Sequence, residues 1–266
     1  SVASRGLGDV YKRQMLLAGV KSLIVICKEE DIDSFSKLLG KGEDWGIKIK
    51  FAVQDAPEGI PQALQIARNY LDTSTGVVLG LGDNIIYGSQ AGRKLSTNYD
   101  TSKAKIYCFS VSNPQDFGNL ELDSTSRIKK LSEKPKFPAS NLAITGFYHL
   151  PKDAFHLVDS LKKSERGEYE IIDLLNVYLF KNRLEYEIFP RGTTWLDAGT
   201  AQGLTGSSEF VNLIQKRQGT LICSPDEAAW QTGNIDLMKL SQTAFKYRNS
   251  DYGKKLLELI ESRHNQ

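Results

Sequence analysis

An α/β architecture ending in a helical C-terminal region is predicted by three features of the sequence. Buried apolar runs alternate with helix-period segments between Leu23 and Leu81, further strands cluster in the middle, and helical patterns fill the end. The 266 residues suffice for a sizeable core without disulfide staples. Apolar residues at 40% and charged residues at 25% exclude disordered and fibrous classes.

The elements follow in order. Residues 1–14 show neither helical nor alternating pattern and read as a leader outside the fold. Met15-Leu-Leu-Ala-Gly19 reads as the last turn of a helix closed by Gly19, and Leu23 to Ile26 as a buried strand. A folded domain seldom opens on the tail of a helix, so the chain reads as a fragment, a short natural first helix being the alternative. Helix then covers 31–39, strand 47–53, helix 60–71 and buried strand 76–81. Two further strands cover 105–111 and 144–150, with shorter ones at 118–122, 128–131, 184–189 and 194–196. Helices cover 152–161, 171–180, 201–218, 226–229, 235–244 and 252–262. No Pro/Gly-rich linker divides the chain, which reads as one domain over 15–219 with a helical appendage over 220–266.

Lys plus Arg total 34 against 32 Asp plus Glu, a net charge of +2 without global attraction to nucleic acid or membranes. Aromatics do not interleave with a basic stripe, which also argues against nucleic-acid binding. The most apolar stretch, Met15 to Cys27, is broken by Gly19, Lys21 and Ser22, short of the roughly 18 apolar residues of a membrane span. Cys27, Cys108 and Cys223 are odd in number and widely separated, which suits reduced core thiols and a cytoplasmic protein.

Strand ends carry the candidate chemistry. Val77-Val-Leu-Gly-Leu-Gly-Asp-Asn84 runs a buried strand into Asp83, and ligands in open α/β sheets bind at the carboxyl ends of strands. Such a carboxylate suits Mg²⁺, which takes its remaining ligands from phosphates and water; a turn-capping Asp is the alternative. Thr194-Trp-Leu-Asp-Ala-Gly-Thr200 delivers Asp197 in the same way, and two strand-end carboxylates suggest one shared cation. Leu131-Ser-Glu-Lys-Pro135 sets Glu133 beside Lys134 past a strand end. Glu133 could accept sugar hydroxyls and Lys134 face a phosphate, a solvated charge pair being the alternative. Arg191 offers a bidentate phosphate donor, though surface arginines are common. Gln54 ends a strand before Pro57-Glu-Gly59 and could read a base edge, or sit in a polar loop. Glu170 and Asp173 read mainly as N-terminal helix stabilisers. His149, His156 and His264 lack metal-ligand spacing, and no nucleophilic triad is present.

The pieces occur in one order: Val53-Gln54, Glu58-Gly-Ile-Pro-Gln-Ala63, Leu81-Gly-Asp-Asn-Ile-Ile-Tyr-Gly88, Phe117-Gly118, Glu133-Lys-Pro135, Thr145-Gly-Phe-Tyr148, Arg166-Gly-Glu-Tyr-Glu170 and Trp195-Leu-Asp-Ala-Gly-Thr200. The series resembles the bacterial glucose-1-phosphate thymidylyltransferases, and the likeness continues through Arg217-Gln-Gly219, Cys223-Ser-Pro-Asp-Glu227 and Asp251-Tyr-Gly253. The resemblance implies a nucleotidyltransferase fold with a Rossmann-like, mixed, mostly parallel sheet. It implies transfer of a thymidylyl group from dTTP to glucose 1-phosphate, giving dTDP-glucose and pyrophosphate. Asp83 and Asp197 would carry Mg²⁺, Gln54 and Gly59 contact thymine, and Asn84 lie beside the nucleotide. Gly118, Glu133 and Ile144 would surround glucose, and Lys134 and Arg191 hold its phosphate. The helical tail would serve assembly and regulation in a homotetramer.

One departure matters. The family opens with a strand and a Gly-Gly-x-Gly-Thr-Arg-Leu loop that wraps the triphosphate, followed by a Lys before a Pro, and neither is present here. On that reading the chain cannot complete efficient transfer, and strands beside the missing one carry unpaired backbone groups, each costing about 1 to 3 kcal/mol. Phe117 stands where the family often has Tyr, and Ser132 where it has an acidic residue. The alternatives are a non-catalytic sugar-nucleotide sensor or assembly subunit, and a transferase using another triphosphate.

Overall fold

The computed structural model describes residues 12–88, 91–96 and 100–264. The 1–14 leader therefore lies largely outside the described residues, but its last three positions belong to helix α1 (residues 12–17). Gly19, at φ 78°, takes the left-handed conformation that closes this helix. A βαβ unit follows: β1 (Ser22–Cys27), α2 (Glu29–Leu39) and β2 (Lys48–Val53), with β1 and β2 parallel. Helix α3 (Gln62–Ala67) then leads into β3 (Val77–Gly80).

The main sheet is built around β8 (Leu142–Leu150). β5 (Ala104–Ser110) lies on one side, and β6 (Gly118–Leu122) and β3 share the other. β7 (Ile128–Ser132) and β9 (Leu184–Ile188) extend it. β5 and β8 are buried almost throughout because both faces are covered. Ile106, Cys108, Ile144, Tyr148 and Leu150 meet Phe155 of α5 (Ala154–Leu157) and Leu174 and Leu175 of α6 (Ile171–Phe180). The intervening Tyr107, Phe109 and Phe147 point the other way, into an aromatic layer with Phe189 and Leu95, the latter on α4 (Ala91–Ser96). A separate antiparallel ladder joins β4 (Asn84–Tyr87) to β10 (Thr194–Asp197).

The expected class holds: α/β, with a mixed sheet and a helical C-terminal region. Parallel pairing is confined to β1–β2 and β5–β9, and the other described ladders are antiparallel. For β6–β7 the reason is a short connection, since the turn around Asp123 is too brief for the crossover a parallel pair needs. The sequence patterns also passed over β4 and α4.

Thr200 caps α7 (Ala201–Gln218) by accepting from the Gly203 N–H at 3.0 Å, and Gly219 closes it in a left-handed conformation. Helices α8 (Pro225–Gln231), α9 (Leu237–Lys246) and α10 (Asp251–His264) then pack Ala229, Leu240 and Leu256 against Leu39 and Ile49 of the βαβ unit. Asp226 ties this layer together by accepting from Trp45 Nε1 and the Tyr252 hydroxyl.

Among the described residues β1 pairs only with β2, and β3 only with β8. Residues of both strands line one cavity of about 740 Å³, walled mainly by apolar side chains including Ile24, Ile26, Ala63, Leu64 and Val78. None of the three cysteines forms a disulfide, and no helix among the described residues is long and apolar enough to cross a membrane.

Candidate active site

Two strand ends meet at the carboxyl edge of this framework. Asp83 sits in the turn between β3 and β4, and Asp197 is the last residue of β10. The antiparallel register pairs Asp197 with Asn84, so residues 113 positions apart in the chain become neighbours. The Ala198 N–H donates to the Asp83 carbonyl at 2.8 Å and locks the junction.

Gly199 measures how closely the side chains converge. A Cβ built on it would stand 2.8 Å from Asp83 Oδ2 and 3.1 Å from Asp197 Oδ1, so both oxygens border one small space. Any larger residue would intrude there. Among the described residues no three His, Cys, Asp or Glu side chains gather to hold a metal, so a cation here would have two protein carboxylates and an otherwise open shell. Mg²⁺ is commonly bound in that way, with waters and substrate phosphates completing its octahedron.

A cleft of about 320 Å³ opens beside the two aspartates. Its walls include Gly118, Glu133, Lys134, Ile144 and Asn84. Lys134 has φ 39°, unusual for a residue with a side chain, and its N–H donates to the Phe117 carbonyl at 3.2 Å. This turn past β7 allows consecutive Glu133 and Lys134 to border one cleft, where a continuing strand would send them to opposite faces. Burial, followed by the charge of Glu170, pushes the Glu133 carboxyl above the ordinary range, against the opposing pull of Arg166 and Lys134.

Arg166 is a charged cleft residue that the sequence patterns did not single out. Its guanidinium donates to both oxygens of Glu170, at 3.1 and 2.7 Å, and reaches Glu133 at 3.4 Å. Ser164 Oγ adds a further bond to Glu170 at 2.7 Å. Burial raises the Glu170 carboxyl, but these bonds outweigh it and leave the group below its usual range. The spacing of Arg166 and Glu170 imitates a helical pair, but the helix starts only at Ile171, so a loop builds the contact and aims it at the cleft. Trp195, edge-on to Phe117 with ring centroids 4.8 Å apart, forms another wall.

Asp83, Asn84, Gly118, Glu133, Lys134, Ile144 and Asp197 thus share one cleft. Gln54 and Gly59 line the larger cavity instead, which meets the cleft at Ile60, Leu81 and Glu168. Arg191 lines neither. It is exposed in the turn preceding β10, at the end of the ladder where Thr194 pairs with Tyr87, away from Asp197. Nearness in sequence does not give nearness in space here, because residues before a strand lie at the end opposite to those after it.

The comparisons agree with this architecture. A nucleotidyl transferase family model matches residues 5–212. The chain is 39% identical over 247 residues to the glucose-1-phosphate thymidylyltransferase of Mycolicibacterium smegmatis, covering 93% of this chain and 85% of that protein. It is also 39% identical over 266 residues to the Mycobacterium tuberculosis enzyme of the same name, covering 97% and 92%. A solved Bacillus anthracis structure assigned to glucose-1-phosphate thymidylyltransferase, in complex with sucrose, superposes with a TM-score of 0.67 at 29% identity, covering 76% of this chain and 81% of that one. Sequence likeness over nearly the whole chain and a matching fold lead to one conclusion: this chain belongs to the glucose-1-phosphate thymidylyltransferase family of nucleotide-transferring enzymes.

Proposed function

We propose that this site serves the transfer of a thymidylyl group from dTTP to glucose 1-phosphate, releasing pyrophosphate and forming dTDP-glucose, with efficient turnover requiring the triphosphate-wrapping loop. The observation that carries the reading is the convergence of Asp83 and Asp197 beside a cleft walled by Glu133, Lys134 and Arg166. An oxygen of the sugar phosphate forms a bond to the α-phosphorus of dTTP, and the bond from that phosphorus to the pyrophosphate oxygen breaks in line with it. The protein's contribution is alignment and neutralisation of crowded oxyanions. Asp83 and Asp197 would hold Mg²⁺, which when bound screens the two anionic substrates from each other and stabilises charge on the transferring group. Glu133 accepts hydroxyls of glucose over Gly118 and Ile144. Lys134 and Arg166 hold its phosphate, Arg166 taking the part that the sequence reading gave to Arg191. Asn84 borders the nucleotide, and Gln54 and Gly59 contact thymine from the neighbouring cavity. The site needs no covalent protein intermediate.

A homotetramer in the cytoplasm completes the reading. Leu237, Met238 and Phe245 on α9, 37%, 67% and 62% exposed, supply an apolar face suited to assembly.

Pyrophosphate release by the chain restored with a Gly-Gly-x-Gly-Thr-Arg-Leu loop and its following Lys, given glucose 1-phosphate and a panel of dTTP, UTP, CTP and ATP, tests the proposal. dTTP is expected to lead CTP and ATP by at least about tenfold, since one misread polar base edge costs on the order of 1.4 kcal/mol or more, and to lead UTP, which shares that edge and differs by the 5-methyl and the 2′-hydroxyl, by a margin on the order of tenfold. Turnover restricted to UTP overturns the thymidylyl assignment.

Glu133 adds a pH signature. Ionised, it accepts hydrogen bonds from sugar hydroxyls; protonated, it loses acceptor capacity. Because its carboxyl is raised, dTDP-glucose binding should weaken as the pH falls, starting above the pH at which an ordinary Glu would protonate. Calorimetric titration of Glu133→Gln is expected to show weaker binding at neutral pH and to lack this acid limb. In the free protein a raised carboxyl holds its proton more tightly when folded. Its contribution to stability is therefore present below the ordinary Glu range and lost as the pH rises through the folded value.

A further inference from the structure

Asn84 is 5% exposed and has one amide orientation that satisfies its neighbours. Two groups that can only donate, the Gly146 N–H at 2.9 Å and the Trp195 indole N–H at 2.7 Å, both point at its Oδ1. The amide therefore cannot flip without facing two donors with a third. Its Nδ2 is forced toward Asp83 and donates to Asp83 Oδ1 at 2.8 Å. The other oxygen of Asp83, Oδ2, is the one that borders the Gly199 space shared with Asp197. One carboxylate oxygen is thus tied back while its mate faces the space.

The bracket is wider than the contact. Asn84 begins β4, Gly146 lies in β8 and Trp195 in β10, so a single side chain joins three strands from two ladders. Its position is set by the fold before any ligand arrives. This differs from reading a substrate directly, where the amide would have to keep its oxygen available.

We propose that Asn84 is a positioning residue for the cation site: its amide, pinned by Gly146 and Trp195, holds Asp83 Oδ1 and thereby turns Asp83 Oδ2 to the metal that Asp197 shares. The inference rests on the Mg²⁺ reading of the two aspartates. It predicts selectivity as well as affinity. Mg²⁺ and Mn²⁺ prefer near-octahedral oxygen geometry, whereas Ca²⁺ accepts a flexible shell of six to eight oxygens, so a loosened Asp83 should harm the smaller ions more.

The test uses the full 266-residue chain and Mn²⁺ alone, titrated by electron paramagnetic resonance, with Mg²⁺ and Ca²⁺ as competitors. Asp83→Asn sets the floor. Asn84→Ala is expected to weaken Mn²⁺ and Mg²⁺ by about tenfold, the lower end of what removal of an outer hydrogen-bonding partner costs a metal site, and Ca²⁺ by less than about threefold. In the Asp83→Asn background, Asn84→Ala should add nothing. If Asn84→Ala does not fold by near-ultraviolet circular dichroism, Trp195→Phe carries the same test, since it removes one of the two donors that pin the amide; a smaller loss with the same ion preference is expected. Wild-type Mn²⁺ affinity in a folded Asn84→Ala, or in Trp195→Phe where that variant carries the test, overturns the inference alone. Equal losses for all three ions also overturn it, because they report general disturbance of the site. Absence of Mn²⁺ binding to the unaltered chain overturns the metal reading and this inference with it.

Discussion

In the loop-restored chain, Asp197→Asn is expected to lower metal-dependent pyrophosphate release by about a thousandfold, equivalent to roughly 4 kcal/mol of lost transition-state stabilisation. The substitution removes half the protein charge at the proposed cation site while keeping the shape of the side chain. Asp197 Oδ1 accepts from the Gly199 N–H at 3.0 Å, and an amide oxygen can accept the same bond. The backbone pairing with Asn84 is untouched. The loss should therefore appear as a raised Mg²⁺ requirement and a reduced saturated rate, with the thermal midpoint nearly unchanged. A variant that keeps the parental Mg²⁺ dependence would remove Asp197 from the metal site and undo the central reading.

Gly59→Ala should produce the largest loss of stability at a single position near the site, about 3 kcal/mol, from backbone strain together with overpacking. Gly59 has φ 105°, a conformation that residues with side chains rarely adopt, and an added Cβ would meet the Tyr169 carbonyl oxygen at 2.1 Å and its nitrogen at 2.9 Å. Both obstacles are backbone, which no rotamer change can clear. The adjoining bond from the Tyr169 N–H to the Glu58 carbonyl, 2.8 Å long, shows how tightly the turn after β2 grips the loop carrying Arg166 and Glu170. Urea unfolding should show a lower midpoint, and dTDP-glucose binding should fall with it as Arg166 shifts. Gly82→Ala is the control: nothing lies within 4 Å of its added Cβ, and stability should change by less than about 0.5 kcal/mol. Full stability in Gly59→Ala would show that the two loops separate more readily than this close approach implies.

The comparison also recasts what Gly59 does. The resemblance gave it a contact with thymine, whereas the geometry supplies a reason for glycine at this position without any ligand. The two roles are compatible, since the same close approach that excludes a Cβ leaves the backbone exposed to the neighbouring cavity.

Much of the site was legible because a buried strand ending in a carboxylate is a local pattern. Val77 to Asp83 and Thr194 to Asp197 both show it, and Pro135 marks the strand end that frees Glu133 and Lys134. Arg166 was not legible. Its partner Glu170 stands four residues away, a spacing with a commonplace helical explanation, and only a loop conformation makes the pair part of a cleft. Arg191 shows the opposite case: it stands close to Asp197 in sequence, but strand direction places it toward the other end of the ladder. Strand β4 was passed over because Asn84 to Tyr87 directly follows a turn and is too short for a strong period of its own.

The sequence by itself determined the alternation of strands and helices, the helical C-terminal set and the identity of the acidic and basic groups available for chemistry. Those are properties of periodicity and residue type, which act within a few positions. Tertiary structure alone decided that antiparallel ladders prevail, that Asp83 and Asp197 face one space, and that Asn84 spends its amide on Gly146, Trp195 and Asp83. Pairing direction and side-chain convergence depend on backbone hydrogen bonds between distant segments, and local hydrophobic patterning does not encode which distant partner a strand will meet.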